Sequence, residues 1–398
     1  MNTLIAQHPE LSERLEHHYR RAQAAVESMA KDIHAHPELS FEEHRAAQAI
    51  GDVLQQAGFE VAQGICDLPT AFEARIGTGE LVVGICVEYD CLPVVGHACG
   101  HNLIAGSTVG AALALAPLVD ELGITLKAIG TPAEEHGGGK ALLLERGAFD
   151  GIGLSLMAHP MSEGVSTNPL GTTTQAVGRF KAMFQGQAAH AAAMPHRGVN
   201  AADAATLSQV AIGLLRQQLP DNHRVASYIS EAGNVTNIIP DYAEVHFEVR
   251  AYSLEEYEQT LAKVRRCFEG AGIATGTTLE FEATEPLYEP VLQDRALAGY
   301  WNDAMAARGN DVAELPTGTG GGGSTDMGNI SQVIPSIHPM FAVPGATAPV
   351  HSAGFTVSAN TQSAYAAMDD AALSLAATVA AAVLADRGRY LDAAYRRA

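Results

Sequence analysis

The sequence predicts an α/β protein, a mainly parallel sheet with flanking helices, interrupted by an inserted α+β domain. Three observations carry this expectation. Short β-branched runs alternate with helical stretches in the first part of the chain, at spacings that suit a parallel sheet. From about residue 172 to 285 the order changes to strand–helix–strand–strand–helix–strand, the ferredoxin-like plan. The alternating pattern then resumes, so the expected organisation is 1–171, first part of the α/β domain; 172–285, insertion; 286–398, second part of the α/β domain.

Each element has a local reason. From about Leu11 to Ile33 charged and Ala-rich residues predict a helix, which Pro37 in HAHPELSFEEH breaks. A second helix is expected from Glu43 to Ala57, stopped by Gly58. LVVGICV (Leu81 to Val87), ITLKAIG (Ile124 to Gly130) and GLSLMA (Gly153 to Ala158) read as strands, with helices at Leu103 to Leu122 and Gly139 to Arg146 between them. In the insertion, strands are expected at Ala176 to Gln185, Arg224 to Ala232, Ala243 to Ala251 and Thr277 to Ala283. Helices fall at Asn200 to Gln218 and Leu254 to Ala271, and YAEVHFEVRAY alternates as a half-buried strand should. A helix from Gln293 to Arg308 then leads to the loop TGTGGGGST (Thr317 to Thr325). A strand at His338 to Val343 and an Ala-rich helix from about Ser363 to Asp386 follow. The glycine run reads either as a flexible linker or as a loop whose backbone approaches a ligand.

Composition narrows the class. The chain has 398 residues, 47% of them apolar and 17% charged, which suits a packed protein with one large and one smaller domain. A formal net charge of −21 argues against a nucleic-acid partner. Five cysteines at irregular spacings (Cys66, Cys86, Cys91, Cys99, Cys267) do not make a secreted disulfide framework. MNTLIAQHPELSERLEHHYR has no basic stretch leading into an apolar run, and the apolar stretches are interrupted before they reach bilayer length. The expectation is a cytoplasmic protein with no membrane span.

The polar clusters fall at related places. Cys99 and His101 follow the Leu81 strand, Glu134 and Glu135 the Ile124 strand, and His159 the Gly153 strand. All lie just past the carboxyl ends of strands expected to be parallel, where open α/β sheets place their ligands. Thiolate, imidazole and carboxylate are ligands for zinc-like ions. Cys99 also lies near the start of a helix, whose dipole favours a thiolate, and a thiolate can bridge two cations. Adjacent Glu134 and Glu135 can divide the work, one binding metal and the other taking a proton from metal-bound water. A Cys–His nucleophile is the rival chemistry; it explains Cys99 and leaves both glutamates idle. His97 suits a supporting or loop role, His17 and His18 read as surface residues, and the other four cysteines as buried or incidental thiols.

The motifs HAHPELSFEEH, EYDCLPVVGHACGHNLIAG, GTPAEEHGGGK, MAHP, AAHAAAMPHRGVNAADA and GNVTNIIPDYAEVHFEVRA occur in this order along nearly the whole chain. Together they resemble the dinuclear metallopeptidases and amidohydrolases that include aminoacylases, hippurate hydrolases, auxin-conjugate hydrolases and aminobenzoyl-glutamate hydrolases. The run EYD-LP--GHACGHNLIA and the triple glycine after PAEE are most similar to the aminoacylase-1-like dipeptidase branch. The resemblance implies a metallohydrolase catalytic domain with an inserted lid and dimerisation domain, a homodimer, and two divalent cations, zinc or manganese, with cobalt tolerated. Carried over position by position, it makes Cys99, His101, Glu135, His159 and His351 the metal ligands, Cys99 bridging. Glu134 becomes the general base and Asp90 a supporting acid behind the metals. His190 becomes a lid histidine that reaches the partner subunit's site and stabilises the oxyanion, and Asn237 and Arg250 bind the substrate's carboxylate or backbone. Two departures stand out: Asn102 where many relatives have Asp, and Ser324, Thr325, Asp326 where many have a Glu-Asp pair. The second bears on substrate preference.

The expected activity is cleavage of the amide bond of a dipeptide or N-acyl amino acid by metal-activated water. Aromatic acyl-amino acids or aminobenzoyl-glutamate-like conjugates are the alternative substrates. A metal-bound regulatory protein without turnover is the alternative class, against which Glu134 speaks.

Overall fold

The computed structural model describes residues 8–314 and 323–396. Residues 317–322 of the glycine run, read as linker or ligand loop, lie outside them. In chain order the principal elements are α1 (Pro9–Ala35), α2 (His44–Gln56), β1 (Glu60–Gln63), β2 (Phe72–Ile76), β3 (Leu81–Val87) and α3 (His101–Leu115). Next come β4 (Ile124–Gly130), α4 (Gly139–Glu145), β5 (Ile152–Leu156), β6 (His159–Met161), β7 (Ala176–Gln185), α5 (Ala201–Leu215), β8 (Arg224–Glu231) and β9 (Tyr242–Ala251). The chain closes with α6 (Leu254–Thr275), β10 (Thr278–Ala283), α7 (Arg295–Ala307), β11 (Ser336–Ile337), β12 (Met340–Ala342) and α8 (Gln362–Tyr395). Two compact units result. One holds the chain up to Thr173 and the stretches beginning at Val291 and at Asp326; the other holds Thr174–Pro290 and the short stretch ending at Thr325.

The first unit is built on a six-stranded sheet in the order β1-β2-β4-β3-β5-β11. β4, β3, β5 and β11 run parallel, while β1 and β2 add an antiparallel edge. That edge is absent from the sequence reading because EVAQ and FEARI are short and half polar. Of the expected strand at His338 to Val343 only β12 forms, and it pairs with β6 in a separate parallel ribbon; β11, which joins the main sheet, lies just before it, parted from β12 by His338 and Pro339. Pro339 has no N–H to give to a ladder, so the break falls there.

Every residue of α3 is buried, because the helix lies between α1 and α8. Its glycines permit the close approach. A Cβ on Gly106 would meet Met368 of α8 at 2.1 Å, and one on Gly110 would lie 2.7 Å from Tyr19 of α1 and 2.9 Å from Ala372 of α8. The stretch His101–Leu122 and helix α8 are in fact long and apolar enough to cross a membrane, which corrects the sequence reading. Their most apolar windows are 94% and 78% buried inside the fold, which is the position of core helices.

The second unit has the order expected of the insertion: an antiparallel sheet β10-β7-β9-β8 with α5 and α6 packed on it. β9 alternates half-buried and buried residues along its whole length, placing Ala243, Val245, Phe247, Val249 and Ala251 in the core. Ser253 caps α6, accepting from the Glu256 N–H at 3.2 Å and donating to its carboxylate at 3.1 Å. β8 is an edge strand with most of its residues exposed.

These contacts set an expected pair of outcomes in urea denaturation. Gly110→Val should destabilise the protein by about 1–3 kcal/mol through overpacking. Gly270→Ala, in α6 where an added Cβ meets nothing within 4 Å, should stabilise by roughly 0.5–1 kcal/mol.

Candidate metal centre

Three strand ends build the site. β3 ends at Val87 and hands the chain to Glu88 and Asp90; β4 ends at Gly130 ahead of Glu134 and Glu135; β5 ends at Leu156 ahead of His159. Cys99 and His101 sit at the start of α3, and His351 arrives from the C-terminal part of the chain, its N–H bonded to the Ala98 carbonyl at 2.8 Å. His351 and Ala133 both have positive φ, 63° and 61°, a conformation L-residues hold only where the surroundings impose it. At Ala133 the constraint is the buried Glu43 carboxylate, which accepts the Ala133 N–H at 2.9 Å.

The ligand atoms converge in three overlapping groups: Cys99, His101 and His159; Cys99, Glu135 and His351; Glu88, His101 and Glu134. Within each group the atoms lie within 4.8 Å of one another. Cys99 Sγ is 3.4 Å from His159 Nε2 and 3.3 Å from His351 Nε2, so the thiol is shared by two groups. Glu135 turns one oxygen to His101 Nε2 (3.8 Å) and the other to His351 Nε2 (3.8 Å). The structure therefore brings together all five sequence-predicted ligands and Glu134, with Asp90 behind them.

The far side of each histidine fixes its tautomer. His101 Nδ1 donates to Asp90 at 2.8 Å and His159 Nδ1 donates to the Pro160 carbonyl at 2.7 Å, so both present Nε2 to the site. Asp90 also accepts from the Ser40 hydroxyl and the Glu135 N–H, each at 3.0 Å. His101 Nε2 and Glu135 Oε1 are buried and have no hydrogen-bond partner among the described residues. Buried ligand-type atoms left without another partner, and gathered within 4.8 Å of one another, fit a metal centre.

Charge follows from burial. Burial pushes the Cys99 thiol up, and the neighbouring Glu135 adds to it, so the helix start does not by itself make a thiolate here. Burial raises Glu134 well above the carboxylate range, reinforced by Glu88 and Glu135. Burial takes Glu135 up to about 7 against the pull of His101. Burial, with His338 and His101 nearby, takes His159 down to about 3. Burial would lower His101 too, but Asp90 outweighs it and holds the imidazole well above its ordinary value.

Other sequence-predicted residues stand elsewhere. His97 is buried, its ring stacked at 6.0 Å on His34, and belongs to none of the three groups. Asn102 donates to the Ala359 carbonyl at 3.0 Å and fastens α3 to the C-terminal part of the chain. His17 is exposed, His18 half-buried, and all five cysteines are unpaired. In the second unit, the Ala191 N–H bonds the Asn237 carbonyl at 3.0 Å, which places His190 and Asn237 together on an exposed surface. Arg250 is half-buried; Glu248 accepts from its Nε at 2.8 Å and its Nη2 at 3.3 Å, and Ser324 from its Nη1 at 3.0 Å. The sequence reading passed over Ser40, Glu43, Glu88 and Lys140, and tied Asp326 to substrate preference, whereas Asp326 accepts from both the backbone N–H and the ammonium of Lys140. Only Glu88 carried a signal, a carboxylate at the end of an apolar strand two residues before Asp90.

A parallel-sheet unit that gathers a thiol, three imidazoles and paired carboxylates beside the ends of its strands, with an inserted α+β unit, defines a two-domain metallohydrolase. Residues 172–275 match the M20-type peptidase dimerisation domain. The chain is 37% identical to the Xaa-Arg dipeptidase of Mus musculus over 352 residues, covering 85% of this chain and 80% of that protein. It is 33% identical to a p-aminobenzoyl-glutamate hydrolase chain of Escherichia coli over 273 residues, 63% of this chain and 56% of that one. Among solved structures, the fold matches an aminohydrolase from methicillin-resistant Staphylococcus aureus with TM-score 0.71 at 20% identity, covering 90% of this chain and 98% of the other. A dinuclear metal binding peptidase of the M20 family from Bacillus subtilis matches with TM-score 0.64 at 24% identity, covering 88% and 98%. The chain belongs to the M20 family of peptidases and amidohydrolases.

The protonation states set the expected pH behaviour of metal uptake. Cys99, its thiol pushed up by burial, holds its proton in the metal-free protein at neutral pH, and Glu135 titrates near pH 7. Ligands must lose these protons to bind, so zinc uptake at pH 7 should release about one proton or more per chain. The apparent affinity should climb through pH 7 and beyond, because the thiol titrates higher still. Calorimetric titration in buffers of different ionisation enthalpy measures the release.

Proposed function

We propose that this protein is a metal-dependent amidohydrolase that cleaves dipeptides or N-acyl amino acids whose leaving portion keeps a free carboxylate, acting as a cytoplasmic homodimer. The observation that carries the reading is the sharing of Cys99 between two ligand groups, with the buried Glu134 beside them. Cys99, His101 and His159 would hold one cation, and Cys99, Glu135 and His351 the other; zinc or manganese suits this set, and cobalt is tolerated. Bound there, the cations supply Lewis-acid polarisation of the scissile carbonyl and an acidified water. Names of relatives that fit are the Xaa-Arg dipeptidase and the aminobenzoyl-glutamate hydrolase.

The chain's own residues supply the proton transfers and the orientation. Glu134 takes the proton of the attacking water and returns it to the leaving amine nitrogen. His190 Nδ1 accepts the N–H groups of Ala192 and Ala193, at 3.2 and 3.1 Å, so the neutral ring carries its proton on Nε2. That N–H is the donor for the oxyanion, and exposure of His190 suits a role in the partner subunit's site. Asn237, beside it, would bind the substrate backbone. Arg250, its guanidinium plane set by Glu248, would meet the leaving carboxylate.

The homodimer is supported by the match to a peptidase dimerisation domain and by an unpartnered apolar surface. Leu207, Val210 and Leu214 recur on one face of α5 and are exposed, as are Tyr228 and Ile229 on the edge strand β8. Five unpaired thiols suit a reducing compartment.

Two experiments test the reading. Metal content is measured alongside hydrolysis of β-alanyl, N-acetyl, Xaa-Arg and aminobenzoyl-glutamate substrates. The expected result is two ions per chain and cleavage that chelation abolishes and zinc or manganese restores. Glu134→Gln should lower kcat by about 10²–10⁴-fold with metal retained; cleavage that survives both chelation and this substitution would point to the cysteine-nucleophile chemistry instead. Secondly, Val210→Asp with Leu214→Asp should give monomers in sedimentation, with kcat reduced to the level of His190→Ala, roughly 10²–10³-fold down. Full activity in such monomers would remove the shared-site role of His190.

A further inference from the structure

One buried charge cluster is not used by the mechanism above. Glu88, Lys140 and Asp326 are fully buried, each at 0% exposure. Lys140 Nζ lies 2.6 Å from Glu88 Oε1 and 2.6 Å from Asp326 Oδ1, and the Lys140 N–H donates to Asp326 Oδ2 at 2.8 Å. Lys140 is therefore clamped by Asp326 at both its backbone and its ammonium. The clamp fixes where the ammonium sits, and the ammonium fixes one oxygen of Glu88.

The other oxygen points elsewhere. Glu88 Oε2 is 3.7 Å from His101 Nε2, and neither atom has a hydrogen-bond partner among the described residues. Glu134 Oε2 is 3.9 Å from the same nitrogen. Glu88, His101 and Glu134 thus form one buried group whose ligand atoms lie within 4.8 Å of one another, the spacing of donors around a shared cation.

We propose that Glu88 is a further carboxylate of the metal centre, directed at the ion that His101 and His159 hold, with Lys140 and Asp326 as its positioning residues. The inference rests on the metal-dependent reading of the site. It gives the His101 ion a hard anionic ligand that the His351 ion obtains from Glu135, so the two cations share Cys99 and each has a carboxylate of its own. Lys140 occupies Glu88 Oε1, so Oε2 is the oxygen that would face the ion.

The test uses the full chain, stripped of metal and titrated with zinc against a chromophoric chelator. Wild type should take up two ions. Glu88→Gln and Glu88→Asp should each keep one ion at wild-type affinity and bind the second about 10–100-fold more weakly. Adding Glu88→Gln to His101→Ala should weaken uptake no further than His101→Ala does alone, whereas adding it to His351→Ala should leave neither ion tightly bound. In the cobalt-loaded protein, Glu88→Asp should shift the visible bands of one ion only. If Glu88→Gln does not fold, judged by its metal-free thermal midpoint, the charge-retaining Glu88→Asp decides. Two ions bound by both variants as tightly as by wild type would overturn the proposal and leave Glu88 as the counter-charge of Lys140. A wild type that takes up no ion would instead sink the metal-dependent reading.

Discussion

The site depends on one carboxylate. Asp90 accepts hydrogen bonds from the His101 ring, the Ser40 hydroxyl and the Glu135 backbone N–H, three groups from three separate segments. Burial alone would raise its pKa, and the charge and hydrogen bond of His101, helped by the other two donors, hold it below the usual range. A fully buried anion survives only when its donors are in place, so each segment is fixed by the need to satisfy the other two. The His101 tautomer, the placement of the Glu135 backbone and the path of the chain before α2 thus share one cause. Asp90 stands behind the ligands rather than among them, yet it sets which nitrogen of His101 faces the site.

The same logic of buried atoms that need partners runs outward from Asp90. Glu43 satisfies the strained Ala133 peptide and so shapes the turn that carries Glu134 and Glu135. The Pro160 carbonyl holds His159, and the Ala98 carbonyl holds the His351 backbone. Helix α3 supplies the platform: its glycines let α1 and α8 close on it, and its first residues carry Cys99 and His101 into the site. Rigidity in the core and geometry at the strand ends are therefore one property. A shift of α3 by a fraction of an ångström would move Cys99, the thiol common to two of the candidate ligand groups.

Much of this was legible in the sequence. β3, β4 and β7 fall where hydrophobic patterning puts them, because strands buried on both faces, or strictly alternating, leave the clearest pattern. Cys99, His101, Glu134, Glu135 and His159 could be found from position alone, since strand ends in a parallel sheet point one way. His351 could not; it lies on no strand end, and only the resemblance singled it out. Short polar β1 and β2 lack a hydrophobic signature, and the break at Pro339 is a ladder constraint that an apolar run conceals. The joining of Glu88, Lys140 and Asp326 into one buried cluster was invisible for a different reason. A buried charge is defined by its partners, and Lys140 and Asp326 come from opposite sides of the inserted unit.

That split ancestry has a consequence for how the molecule is made. Ser155 pairs with Ser336 in the sheet, and β5 packs against α8, although the whole second unit is encoded between them. While the chain is being synthesised, β5 is an uncovered sheet edge until β11 emerges, and α3 lacks one of its two flanking helices until α8 follows. His351 reaches the site only in this last phase. A nascent chain thus holds the strands of its inserted unit before it can bring His351 to the other candidate ligands.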